Sequence, residues 1–230
     1  MGDLKSRREE ISKKYRIDFD KLEKEQIKLA KELVIKDKID FSLAERFGAF
    51  DNTFIKNKIL SCIIVCDKNL EVIDRSYILE KIKFPYFPGF RAYRELPAMI
   101  VAFEKLNEKP DVVFISAEGI IHQRLGLASH FGLHTGVPTI GVSSFLVDLE
   151  AEKKDGKDIL RNGKTIGKVL IGKKGSNPLF ISPGNNISVN TSYMLSKQFI
   201  KLPHKKPEPL HLASKYAKKV KKELTIGESG

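Results

Sequence analysis

The stretch Phe84-Pro85-Tyr86-Phe87-Pro88-Gly89-Phe90-Arg91-Ala92-Tyr93-Arg94-Glu95-Leu96-Pro97 divides two differently patterned halves of the chain. Pro85 and Pro88 have fixed φ angles and no amide proton, so residues 85–88 form a stiff ridge that neither a helix nor a sheet absorbs. Gly89 lets the chain turn. Glu95 follows seven residues after Pro88, with Arg91 and Arg94 beside it, which puts a carboxylate and two cations on the surface that the ridge borders.

Before the ridge, residues 47–55 alternate as a strand on which Phe47, Ala49 and Asp51 share a face. A carboxylate on that side needs a cation or a metal for a partner, although an Asp before Asn52 also suits a turn. Residues 59–66 and 70–79 flank Asp67-Lys68-Asn69 and read as a hairpin, completing a three-stranded antiparallel meander. After the ridge, residues 92–106 are helical, with Pro97 interrupting the helix and starting a second segment. Residues 111–116 and 138–142 read as strands around a helix at 125–135, a parallel β-α-β unit. Further on, 163–172 and 178–182 read as strands, Ser188 caps a helix to Lys201, and a basic helix spans 212–224. Near the N-terminus, 1–18 is charged and marginally helical, and Asp20 caps a helix whose apolar positions run from Leu22 to Val34.

The chain has 230 residues without a Pro/Gly/Ser-rich linker, which predicts one domain over 1–224 and a disordered tail at 225–230. With 41 Lys+Arg against 29 Asp+Glu, the net charge of +12 favours a polyanionic partner. No apolar run approaches the ~20 residues that cross a bilayer, and the N-terminus is charged, so a monomer in the cytoplasm with no membrane partner is expected. Cys62 and Cys66 lie in one strand roughly 13 Å apart, too far for a mutual disulfide, and read as buried thiols.

The Pro85–Pro88 ridge with Glu95 resembles the signature of the endonuclease V family, nucleases that recognise deaminated purines. The resemblance extends from about Phe47 to Leu224 through Gly119-Ile120-Ile121-His122-Gln123-Arg124, Leu125-Gly126-Leu127-Ala128-Ser129-His130-Phe131-Gly132, Val137-Pro138-Thr139-Ile140-Gly141-Val142, Ser182-Pro183-Gly184 and Pro207-Glu208-Pro209-Leu210. It implies an α/β, ribonuclease H-like mixed sheet flanked by helices. It also implies metal-dependent cleavage, with Mg²⁺ or Mn²⁺, of DNA or RNA strands carrying hypoxanthine.

Carried over residue by residue, the resemblance makes Pro85, Tyr86, Phe87 and Pro88 a wedge filling the gap left by a flipped base, with Gly89 beside them at the substrate. A rigid aromatic ridge replaces lost stacking without losing entropy of its own. Asp51 and Glu95 match two metal-binding carboxylates. Gly119 and Gly126 match glycines of the base pocket, where a side chain would block backbone contact with the purine. His122 and His130 match positions that contact phosphate or donate a proton.

This chain departs from the family at Ser116, where an aspartate ends the fourth strand, and at Ser144, where the family has a lysine. A hydroxyl is a poor substitute for a carboxylate at Mg²⁺. Glu118, two residues on, either returns a carboxylate to the same face or lies solvated in a loop. Three activities therefore remain open: a nuclease, a non-cutting reader of inosine-containing or structured nucleic acid, and a protein-interaction module built on the nuclease fold.

Overall fold

The computed structural model describes residues 2–147, 149 and 151–226. Eight strands form one mixed sheet in the order β3-β2-β1-β4-β5-β8-β7-β6. β1 (Phe47–Ile55), β2 (Lys58–Cys66) and β3 (Val72–Lys81) form the expected antiparallel meander. β4 (Val112–Ile115) and β5 (Thr139–Ser143) continue it in parallel, with Phe47 opposite Val112 and Ile115 opposite Gly141. β6 (Asp158–Arg161), β7 (Lys164–Leu170) and β8 (Leu179–Asn185) complete the far edge as antiparallel strands. This is the mixed, helix-flanked α/β sheet that the resemblance implied.

Alternation along β1 sorts the two cores. Phe47 and Ala49 join Ile64, Phe114 and Ile181 beneath α5 (Val189–Gln198) and α6 (Glu208–Ile226). Phe50 joins Ile63, Val113 and Ile115 beneath α3 (Arg91–Glu104) and α4 (Leu127–Thr135), where it packs edge-on against Phe131. β1 runs five residues past its last pairing with β4, so a cleft opens between its C-terminal half and the loop after β4. Asp51 points to the α6 side of the sheet and Asn52 to the α3 side.

Several local expectations are corrected. The charged N-terminus forms a full helix, α1 (Gly2–Tyr15). Asp18, rather than Asp20, caps α2 (Phe19–Ala30), accepting from the Lys21 amide at 2.9 Å, while Asp20 pairs with Arg8. The apolar pattern continues to Val34, but α2 stops at Ala30 because Val34 bonds instead to the backbone of Asn186 and the side chain of Asn185. Pro97 does not divide α3, since it sits on the exposed side of the helix and removes only one internal hydrogen bond. β3 starts at Val72 because Leu70, at φ 69°, belongs to the turn.

β6 was not anticipated. Its turn to β7 is Asn162-Gly163, with φ of 51° and 74°, the pairing that favours a two-residue hairpin and could have been read in advance. β8 runs on to Asn185, α5 ends at Gln198 instead of Lys201, and α6 starts at Glu208 rather than Leu212. Thr225 and Ile226, assigned to a disordered tail, lie in α6, and 227–230 are outside the described residues. Cys62 and Cys66 are free and buried, and burial pushes both thiols up to about 12. No helix among the described residues is long and apolar enough to cross a membrane.

Candidate active site

The proline ridge is divided by its packing. Phe87 is buried in a ring cluster with Phe19 and Phe90, at centroid distances of 4.7 and 5.9 Å, so it does not join a surface wedge. Tyr86 is 55% exposed, and Pro88 is exposed beside it. Phe87 thus anchors the ridge and Tyr86 is its free aromatic. Gly89 turns the chain at φ 81°, and a Cβ there would come within 2.7 Å of the Arg124 guanidinium. Gln26 of α2 donates to the Gly89 carbonyl at 3.1 Å and accepts from Arg124 at 2.7 Å, tying the ridge to the loop after β4. Sequence reading singled out neither Gln26 nor Arg124 for this role.

Beside Tyr86 a cavity of about 490 Å³ is lined by Tyr86–Ala92, Glu118, Ile121–Leu125 and Phe145–Val147, with Leu4, Lys5 and Arg8 of α1 and Glu23 of α2 on its remaining side. That volume suits a small planar ligand. His122 stands in its wall, with Nδ1 accepting from the Arg124 amide at 3.1 Å. Burial, with Arg124, His130 and Arg161 nearby, lowers its pKa to about 4, so the ring is neutral near pH 7. Arg161, on the unanticipated β6, donates to the carbonyls of Ile120, Ile121 and His122 at 3.1, 2.7 and 3.0 Å and fixes this wall.

Gly119 and Gly126 lie behind the wall rather than on it. A Cβ on Gly119 would meet the Pro183 carbonyl at 2.1 Å, and one on Gly126 the Glu118 carbonyl at 2.1 Å. These glycines permit close backbone packing, and the Gly119 amide is spent on Ser182 Oγ at 3.1 Å. His130 is also apart from the cavity. It is buried against Tyr93, with Nδ1 on the Gly126 carbonyl at 3.2 Å and Nε2 without a partner among the described residues. Ser144 is exposed at the start of the strip carrying Phe145 and Val147.

Next to the cavity lies the cleft between β1 and the loop after β4. Glu95, on α3, is buried, and its Oε1 accepts from Arg91 Nε at 2.6 Å. Its Oε2 accepts from Arg91 Nη2 at 3.1 Å and Asn52 Nδ2 at 2.8 Å. Arg91 Nη1 continues across the cleft to the Ser116 carbonyl at 3.0 Å. Burial pulls the guanidinium down, but the bonds and charge of Glu95 leave it above its ordinary value.

From the α6 side, Lys206 Nζ donates to Ser116 Oγ at 3.3 Å. Burial raises the Asp51 carboxyl, against the opposing pull of Lys206, a hydrogen bond from Ser214, and the charges of Lys218 and Arg91. Burial likewise lowers Lys206, and Asp51 opposes it. Both groups are partly desolvated, and the charge of each favours the charged form of the other.

Asp51, Glu95, Ser116 and Glu118 therefore border one connected set of polar groups, reached from opposite sides of β1. Glu118 adds its charge to Arg91. Asp51, Glu95 and Glu118 do not form a tight triad: among the described residues the one group of three such donors within 4.8 Å of one another is His204, Glu208 and His211. The donors in the cleft do not fit the three-carboxylate magnesium site that the resemblance implies. Both Glu95 oxygens are engaged, Ser116 presents a hydroxyl, and Arg91 and Lys206 bring positive charge to the position a divalent ion would need. Among the described residues, Asn52 Oδ1 and, opposite it on β2, Ser61 Oγ are buried oxygens left without a hydrogen bond. The sequence places Arg91 beside Glu95, but its bond to Ser116 and the approach of Lys206 and Ser214 are not legible there, because only the folded chain brings 91, 116, 206 and 214 together.

The sequence profile of the endonuclease V family matches residues 27–215. The endonuclease V of Thermosipho melanesiensis is 42% identical over 180 residues, covering 76% of this chain and 79% of the relative. That of Dictyoglomus turgidum is 35% identical over 218 residues, covering 91% and 94%. Among solved structures, the Bacillus subtilis endonuclease V superposes with a TM-score of 0.82 at 26% identity, over 92% of this chain and 95% of its own. The Ciona intestinalis endonuclease V, crystallised with a 24mer DNA containing an inosine, shares the fold with a TM-score of 0.80 at 23% identity, over 90% and 98%. The match over most of the chain, at identities above those at which fold alone is shared, identifies it as a member of the endonuclease V family of nucleases.

Proposed function

We propose that this protein is a nuclease directed to deaminated purines, chiefly hypoxanthine, in DNA or RNA, and that it cuts slowly. The observation that carries the reading is the cavity beside Tyr86, bounded on one side by the ridge and on the other by His122 and Arg124. An extruded base enters the cavity, Tyr86 occupies the vacated place in the stack, and the basic surface holds the backbone. The likeness to a family member crystallised on inosine-containing DNA supports this choice of substrate. The chain is taken to act as a single domain and a monomer, in the cytoplasm.

Mg²⁺ or Mn²⁺ would be held by Asp51 and Glu95, the two carboxylates retained, and would supply an activated water when bound. With both Glu95 oxygens bonded by Arg91 and no charge at Ser116, slow turnover is the expected outcome of this reading. His122, neutral near pH 7 with Nδ1 accepting from the Arg124 amide, carries its proton on Nε2 and serves as a hydrogen-bond donor. The second reading is a reader that does not cut. It is favoured by the same contacts, since Arg91 and Lys206 are placed to hold a phosphate without any ion.

A cleavage assay on inosine-containing and undamaged strands, with Mg²⁺, Mn²⁺ or EDTA, separates the two. The nuclease reading expects metal-dependent nicks near inosine, raised in Ser116→Asp/Arg91→Leu more than in Ser116→Asp alone, because a lone aspartate would pair with Lys206 and Arg91. Inosine-selective binding without a nick in any of these proteins overturns the nuclease and leaves the reader. Absence of inosine selectivity in binding overturns both.

A further inference from the structure

We propose that His204, Glu208 and His211 form a binding site for a transition-metal ion of the Zn²⁺ class, apart from the cleft of Asp51 and Glu95. One donor atom from each of the three residues lies within 4.8 Å of the other two. Four-coordinate zinc bonds at 2.0–2.2 Å to nitrogen or oxygen hold neighbouring ligands about 3.3 Å apart, so small side-chain rotations bring the three donors onto one ion. Two imidazoles and a carboxylate form a donor set used by zinc, and imidazole selects such ions over Mg²⁺ and Ca²⁺.

The backbone presents these donors together. Glu208 and His211 are three residues apart on the first turns of α6, hence on one face. His204 is brought over them by a turn closed through the His204 amide to the Lys201 carbonyl at 2.9 Å, the Glu208 amide to the Phe199 carbonyl at 2.8 Å, and an Ile200–Pro207 bridge. The two rings stack at 3.5 Å between centroids, and His204 Nδ1 lies 2.8 Å from Glu208 Oε2. All three residues are partly exposed, so an ion has access from solvent, and a fourth position remains for water or an anion.

The site closes the ends of the segment that carries Lys206. An ion bridging His204 to His211 ties this turn to α6 on either side of the lysine that reaches Ser116 Oγ. The metal would thus act as a clip that holds Lys206 in the cleft. This inference does not depend on the proposed nuclease activity.

The test is a calorimetric titration of tag-free, EDTA-dialysed protein with ZnCl₂, paired with thermal melts with and without the ion. The expected result is one Zn²⁺ bound per chain, not displaced by excess Mg²⁺, and a higher Tm with the ion than with Mg²⁺ alone. Glu208→Gln should bind at least about tenfold more weakly, and His204→Gln/His211→Gln should lose the stoichiometric site while retaining the circular dichroism of the parent. Equal Zn²⁺ binding by the double variant, or no stoichiometric binding by the parent, would overturn the proposal.

Discussion

The contact between Arg91 and Glu95 offers the most direct test of the cleft. The guanidinium places two bonds on the carboxylate, at 2.6 and 3.1 Å, and a third on the Ser116 carbonyl at 3.0 Å. Hydrogen bonds to charged groups contribute about 1.5–3 kcal/mol each, and removing one partner of a fully buried pair costs about 3–5 kcal/mol. The Glu95 side chain is 5% exposed but Arg91 is 38% exposed, so water screens the guanidinium and the lower end applies. Arg91→Met should therefore destabilise the fold by about 2–3 kcal/mol. Glu95→Gln should cost less, because the amide keeps an oxygen for Arg91. In the double variant the losses should fall short of additivity by at least about 1 kcal/mol, the sign of two groups that serve each other. Denaturant unfolding of the four proteins at pH 7 measures this coupling. Additivity within about 0.5 kcal/mol would show that the pair is not coupled and that Glu95 does not depend on an internal cation.

Tyr86→Ala should weaken binding to inosine-containing strands by about 1–3 kcal/mol and to undamaged strands by less, as fluorescence anisotropy would measure; equal losses would reduce the ridge to a structural part. Phe87→Ala should instead cost about 3–5 kcal/mol of stability in a urea melt, because its ring is buried against Phe19 and Phe90; an unchanged midpoint would contradict that packing. Burial holds His122 at about 4, below the ~6.5 of an unfolded histidine. The unfolded chain therefore takes up a proton that the folded chain refuses, and His122 subtracts up to about 3 kcal/mol of stability as pH falls from ~6.5 to ~4, and nothing above pH 7. His122→Asn should flatten that slope, and parallel pH profiles for the two proteins would refute the assignment.

Much of the architecture follows from local rules that act within one element. The meander around Asp67, the parallel β-α-β unit and the Ser188 cap depend on period-two alternation, turn residues and end-capping, all of which are written in contiguous sequence. The Asn162-Gly163 turn was legible for the same reason, although β6 was missed. Asp51 was readable as a carboxylate that needed a partner, because its neighbours fixed which face of β1 it occupies.

The partner itself could not be read from sequence. Arg91, Ser116, Lys206 and Ser214 meet only because α3, the β4 loop and α6 converge on one end of β1, and no local pattern encodes a contact between residues 90 positions apart. Tertiary packing likewise divided the ridge into a buried Phe87 and a free Tyr86, set Gly119 and Gly126 behind the cavity wall, and moved His130 away from it. In each case the residue type was visible in the chain, while its role depended on which neighbours folding removed from water or brought within a few ångströms. The sequence by itself determined the succession of most strands and helices, the kinds of groups available and, one helical turn apart, the Arg91–Glu95 pair; only the tertiary structure decided the order of the sheet and which cations approach Asp51 and Ser116.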